Sequence, residues 1–382
     1  MTVVYALEEP PATYAKAIFL AGPTPRQAGV LSWRPQALRL LGQLGYDGVV
    51  FVPESRSGKW HGNYDHQVAW EGRCLNLADC IVFWVPRNMA DMPALTTNDE
   101  WGTWKDSGKV VFGAPPDAVS VRYQQDFARQ LVVPQATSLP DVLALALDMV
   151  GVGAARTGGE REVPLHIWRT ASFQQWYQML RRAGNRLDGA RQMWTFRVGP
   201  RRGFVFFWVL HVDVYIAQEG RHKTNEVVLA RPDISTILLY RRAPVLDDSV
   251  VVLVREFRSP VSNPQGFVYE LAGGSSFKPG GDPLGLAADE THEETGLALA
   301  VSRFRQHESR QLVATLSAHH AHLFSAEITE AEEAWLRAQF GVAHGVFEDT
   351  ERTYVEVRTL GEIRQTRVVD WSMLGMIMQV LA

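Results

Sequence analysis

Three glutamates near residue 290 are spaced to act together. Glu290, Glu293 and Glu294 stand three and four positions apart, so a helix brings them to one face. Like charges at that spacing repel, and a cation relieves the repulsion. Magnesium, or manganese in its place, is hard and oxygen-seeking and bridges carboxylates to phosphates. Asp282 and Pro283 form a helix start, with a side chain that caps and a proline whose missing N–H costs nothing at the first position. Gly273, Gly274, Gly280 and Gly281 allow the preceding loop to approach closely. The same spacing also suits a solvated acidic face.

A second constellation lies near the N-terminus. Phe19–Arg26 reads FLAGPTPR, a short apolar run that ends in Gly22-Pro23 and reaches Arg26. Thr96–Trp104 places Glu100 at a predicted loop-to-helix junction. A carboxylate there has the chemistry to attack an anomeric carbon beside an oxocarbenium-like centre. Asp79 and Asp65 are candidates to hold sugar hydroxyls, and Arg26 and Arg34 to meet a phosphate. No GxGxxG follows the first strand, which argues against a nicotinamide dehydrogenase.

These residues need elements to position them. Residues 1–150 predict an alternation of buried strands (17–21, 48–53, 80–85, 109–112, 131–133) with helices (33–44, 65–77, 139–150). Uninterrupted apolar strands between helices imply an α/β doubly wound parallel sheet, which binds ligands beyond its strands' carboxyl ends. Residues 151–163, GVGAARTGGEREV, read as a linker. Residues 164–382 carry more strand signal and predict an α+β domain.

The chain has 382 residues, enough for two domains of roughly 150–200 residues each. A net charge of -4 supplies no basic field for nucleic acid. No run of about 18 apolar residues marks a membrane span. Two cysteines, Cys74 and Cys80, make no disulfide framework. The predicted setting is the cytoplasm, with small molecules as ligands.

The segment Asp289–Leu297, DETHEETGL, resembles the Nudix box. The preceding Tyr269–Gly274, YELAGG, and Val251–Arg258, VVLVREFR, are similar to the ADP-ribose pyrophosphatase branch of that superfamily. The resemblance implies a Nudix fold, a metal on Glu290, Glu293 and Glu294, and a further carboxylate from a later loop, Glu351 or Glu348. It also makes Arg255, Arg258 and Gly274 candidate nucleotide contacts. Two positions depart from the pattern. The family's spaced glutamate falls on Gly281, and its arginine falls on Asp289.

Residues 15–135 resemble the nucleoside 2-deoxyribosyltransferase-like family. Gly22-Pro23 matches its AGP-type loop, Asp79 its aspartate before the central strand, and Glu100 its nucleophile. That resemblance implies shared active sites between subunits, hence a homo-oligomer. Together the halves imply a bifunctional enzyme. It would cleave or transfer an N-glycosidic bond and hydrolyse, with Mg2+, a nucleoside diphosphate-linked substrate such as ADP-ribose. The alternative is one glycosidase or deoxyribosyltransferase regulated by a degenerate Nudix domain that binds a nucleotide.

Overall fold

A computed structural model describes the chain except residues 28, 58–62, 276–281 and 347–350. The chain divides into two compact units, Met1–Leu229 and Ala230–Ala382.

The first unit opens with β1 (Thr2–Tyr5), β2 (Thr13–Tyr14), β3 (Ala17–Ala21), α1 (Arg34–Gln43), β4 (Val49–Val52) and α2 (Tyr64–Leu77). It continues through β5 (Cys80–Trp84), α3 (Leu95–Trp104), β6 (Val110–Gly113), α4 (Arg122–Gln130), β7 (Gln135–Ala136) and α5 (Leu139–Val150). The sheet runs β1-β4-β3-β5-β6-β7, and every pair is parallel. Alternate residues of a strand face opposite sides. Phe19 accordingly packs with Trp70, Cys74 and Trp101 of α2 and α3, whereas Ile18 and Leu20 pack with Ala37, Leu41 and Val142 of α1 and α5. The sheet is therefore covered on both faces, as the unbroken apolar strands predict. Strand order reverses at β3, which has β4 on one side and β5 on the other, and the crevice beyond that point is where such sheets bind ligands. The fifth predicted strand, 131–133, lies one step late in the chain: Leu131 and Val132 form the turn that ends α4, and Gln135–Ala136 pairs with β6 instead.

Residues 151–163 are ordered structure rather than a linker. β8 (Arg156–Thr157) pairs with β2, and Arg156 is buried against Asp79. A Cβ at Gly153 would meet the Ala15 carbonyl oxygen at 2.4 Å, so the glycine allows the chain to press against the first strands. The unit closes with α6 (Leu165–Trp168), α7 (Ala171–Arg182) and an antiparallel sheet of β9 (Arg186–Val198), β10 (Phe204–Ile216) and β11 (Arg221–Ala230). Asn76 donates to the Ala190 carbonyl and Gln192 to that of Ser107, tying β9 to the α/β core. These bonds explain why the compact boundary falls at 229 and not at 151–163.

The second unit contains β12 (Ile234–Arg241), β13 (Val250–Glu256), β14 (Val268–Glu270), β15 (Ala272–Gly274), α8 (Pro283–Thr295), β16 (Arg305–Gln311) and β17 (His320–Glu327). α9 (Glu330–Ala338), β18 (Ala343–His344), β19 (Thr353–Thr359), α10 (Leu360–Thr366) and α11 (Trp371–Leu381) follow. Its mixed sheet runs β16-β17-β12-β13-β19-β18. Ala287 of α8 and Leu336 of α9 pack on one face, and Leu360, Ile363 and Ile377 of α10 and α11 on the other. Such layering is compatible with the Nudix resemblance.

Candidate active site

The loop after β3 is built around Gly22. Its φ is +149°, and a Cβ there would stand 2.1 Å from the Trp84 carbonyl oxygen. Only glycine lets β3 and β5 end this close together. Arg34, at the start of α1 and 1% exposed, locks the loop from inside. Its guanidinium donates to the carbonyls of Leu20 (3.0 Å) and Gly22 (2.7 Å), to Thr24 Oγ1 (3.0 Å) and to Glu54 Oε1 (2.5 Å). Ser32 Oγ donates to the same Glu54 oxygen at 2.8 Å. The Glu54 charge is thus neutralised in place.

These loops border a cavity of about 930 Å³ beyond the carboxyl ends of the strands. Gly22, Pro23 and Arg26 line it from the loop after β3, Glu71 from α2, and Glu100 from α3. The sequence reading places Glu100 at a loop-to-helix junction; it stands within α3. Burial first, and then the neighbouring Glu71, push the Glu100 carboxyl up to about 7 against the pull of Arg34. Burial also raises Glu71, whose side chain accepts a 2.9 Å bond from Gln67 Nε2. Two carboxyls with raised proton affinity therefore share one cavity. Glu71 is absent from the sequence-based candidates. Its signal was weak: it sits on a helix face as one acid among 42.

Asp79 stands at the other end of the sheet. It precedes β5, accepts the Ala17 N–H at 2.9 Å, and pairs with Arg156 at 2.6 Å where both side chains are enclosed. Lys109 Nζ, nearby, donates to the carbonyls of Leu75, Asn76 and Ala78. Asp79 thus fastens the amino ends of β3 and β5 to β8 and is not among the residues lining the cavity. Asp65 is exposed on the first turn of α2 and does not line the cavity either.

In the second unit, α8 forms as its capping residues predict. Asp282 accepts from the N–H groups of Leu284 and Gly285. Gly274 admits the Glu290 side chain, since a Cβ there would fall 2.1 Å from Glu290 Oε1. Glu293 is exposed. The acids that converge are Glu256, Glu294 and Glu351, each with a ligand oxygen within 4.8 Å of the others. They come from β13, α8 and the approach to β19. Of the predicted ligand set Glu290, Glu293 and Glu294, only Glu294 belongs to this group; the predicted Glu351 joins it, and Glu256 was missed. Glu256 follows an apolar strand and reads as its polar end. Glu348, Asp349, Gly280 and Gly281 lie outside the described residues.

Burial lifts Glu256 and Glu290 to about 7 each and Glu294 well above its ordinary value. Glu294 accepts the Gly273 N–H at 2.8 Å. Arg258 is the counter-charge, 2.7 Å from Glu256 and 3.3 Å from Glu270. Arg255 is engaged elsewhere, 3.4 Å from Glu356 and between the rings of Phe267 and Tyr354. An all-carboxylate donor group fits a hard divalent cation, without specifying which.

Residues 15–118 match the family model described as nucleoside 2-deoxyribosyltransferase like. The matched span contains Gly22, Arg34, Glu54, Glu71 and Glu100, and it places this part of the chain in an enzyme family. No curated protein matches the chain in direct comparison. The second unit's resemblance rests on its own motifs. Among the described residues, no helix is long and apolar enough to cross a membrane.

Proposed function

We propose that the first unit breaks, or transfers across, the N-glycosidic bond of a nucleoside or nucleotide. The observation that carries this reading is Glu100 in the cavity at the sheet's switch point, beside a second carboxyl, Glu71. Glu100 in its ionised form attacks C1′ as the C1′–N bond breaks, and a glycosyl ester forms. Glu71 in its protonated form delivers its proton to the departing base. Water, or a second base, then attacks C1′, releases the Glu100 carboxylate and returns a proton to Glu71. The two roles need one proton between two acids, which mutual repulsion in a buried site supplies.

In this reading the second unit binds a nucleotide and regulates the first. A second reading is favoured by the Glu256, Glu294 and Glu351 group. These residues would hold Mg2+ or Mn2+, which supplies charge neutralisation at a diphosphate when bound, and the unit would hydrolyse a substrate such as ADP-ribose. Glu256 and Glu294 would position that ion, and Arg258 would hold Glu256 in place.

The test is product analysis. The full chain is incubated with nucleosides, nucleotides, NAD and ADP-ribose, with and without Mg2+. Free base that disappears in Glu100→Gln supports the first reading, and AMP plus ribose 5-phosphate that disappears in Glu294→Gln supports the second. Release of free base at an unaltered rate by Glu100→Gln rejects the assignment.

A further inference from the structure

Resting on the N-glycosidic reading, we propose that the substrate is a nucleoside 5′-monophosphate, with its phosphate held by Arg26 and the Thr24 hydroxyl. The described residues lining the cavity include two cations, Arg26 and Arg34. Arg34 is committed to the protein interior. Its guanidinium faces inward onto two carbonyls, a hydroxyl and Glu54, and it is almost wholly buried. Arg26 is exposed, and its side chain makes no hydrogen bond or ion pair with a described residue. Its backbone is nevertheless fixed, because the Arg26 N–H donates to the Asp91 carbonyl at 3.0 Å. Pro23 and Pro25 restrict the same loop further. A held backbone carrying an unpaired guanidinium is suited to a planar, two-point grip on a phosphate.

Thr24 adds a directional donor. Arg34 Nη1 donates to Thr24 Oγ1 at 3.0 Å, which occupies one lone pair of that oxygen. The hydroxyl hydrogen is then left to seek another acceptor. Thr24 is exposed and lines the same cavity as Arg26. One guanidinium and one hydroxyl match a phosphate monoester. A cavity of about 930 Å³ is within the usual range for whole ligands of this class. Glu71 and Glu100 line it too, which leaves the charged end of the substrate to the arginine-bearing loop and the glycosidic bond to the carboxyls.

The experiment compares kcat/KM of the full chain for 2′-deoxynucleosides and ribonucleosides with that for their 5′-monophosphates. Wild type is expected to favour the monophosphates at least tenfold. Arg26→Gln should reduce that ratio at least tenfold, chiefly through KM, with Arg26→Lys restoring part of it and Thr24→Val reducing it several-fold. Equal use of nucleosides and monophosphates, or a ratio unmoved by Arg26→Gln, overturns the proposal. If no glycosidic turnover occurs with any substrate, the underlying reading fails. Calorimetric binding then decides the phosphate site separately: tighter binding of dAMP than deoxyadenosine, lost in Arg26→Gln, upholds it, and equal affinities reject it.

Discussion

Replacing Glu100 with glutamine should make the first unit more stable at alkaline pH while abolishing its chemistry. The carboxyl is lifted from 4.5 to about 7, first by burial and then by Glu71. Between those values the unfolded chain has released the proton and the native state still holds it. Stability therefore falls as pH rises through that window and stays reduced above it. Each tenfold change in proton affinity is worth about 1.4 kcal/mol, so ionising Glu100 costs the native state at most about 3 kcal/mol by pH 8. Glutamine keeps the shape and never ionises. Urea unfolding of both proteins at pH 5 and pH 8, followed by tryptophan fluorescence, measures the difference. Ten of the twelve tryptophans lie within residues 1–229, so the signal reports mainly that unit. The gap between variant and wild type should widen by on the order of 1–3 kcal/mol from pH 5 to pH 8. A gap that is the same at both pH values refutes the burial argument, and glycosidic turnover surviving in the variant refutes the nucleophile.

Wild-type turnover should follow a bell in pH, because it needs Glu100 ionised and Glu71 protonated at the same time, and Glu71→Gln should remove the falling limb along with most of kcat. Gly22→Ala should cost about 3 kcal/mol or more, read from the urea midpoint, because the added methyl meets the Trp84 carbonyl at a positive φ. Arg156→Ala, which leaves Asp79 buried and unpaired, should cost about 3–5 kcal/mol without altering KM in the protein that remains folded. Added Mg2+ or Mn2+ should raise the unfolding temperature of the second unit in wild type, and Glu294→Gln should remove that rise; an equal rise in both excludes Glu294 as a ligand.

The parallel sheet was legible because its strands are apolar without a break, and burial on two faces is the only setting that favours such runs. The same pattern fixes which loops lie beyond the carboxyl ends, but Glu100 was singled out among 42 acids by the resemblance of residues 15–135 and not by the pattern. Asp79 was misread for a reason of geometry. A residue just before a strand sits at the end opposite to one just after it, and in a parallel sheet that separates Asp79 from Gly22 and Glu100. Its partner, Arg156, lies in a stretch that looks flexible in sequence, but two of its glycines, Gly153 and Gly159, are pressed against Ala15 and Asp188 in the fold. Glu71 has no motif, and Glu256 was passed over as the polar end of the apolar run VVLVREFR. Each becomes notable only when folding buries it beside another acid.

One electrostatic device recurs in both units. In the first, Arg34 satisfies Glu54 and leaves Glu71 and Glu100 with less positive charge than two carboxylates need. In the second, Arg258 is shared between Glu256 and Glu270, and Glu290, Glu294 and Glu351 stand beside them. The Nudix resemblance puts an arginine at position 289, where this chain has an exposed aspartate. Its absence from α8 is offset in part by Arg258, just past the end of β13, and only in part. A buried surplus of negative charge must be met by protons or by a bound cation. A retained proton is what departure of a nucleobase requires, and a bound cation is what a diphosphate requires. The same surplus would serve the proposed glycosidic chemistry in a cavity where Arg34 is committed to Glu54, and the proposed ion binding where three carboxylates from separate elements converge.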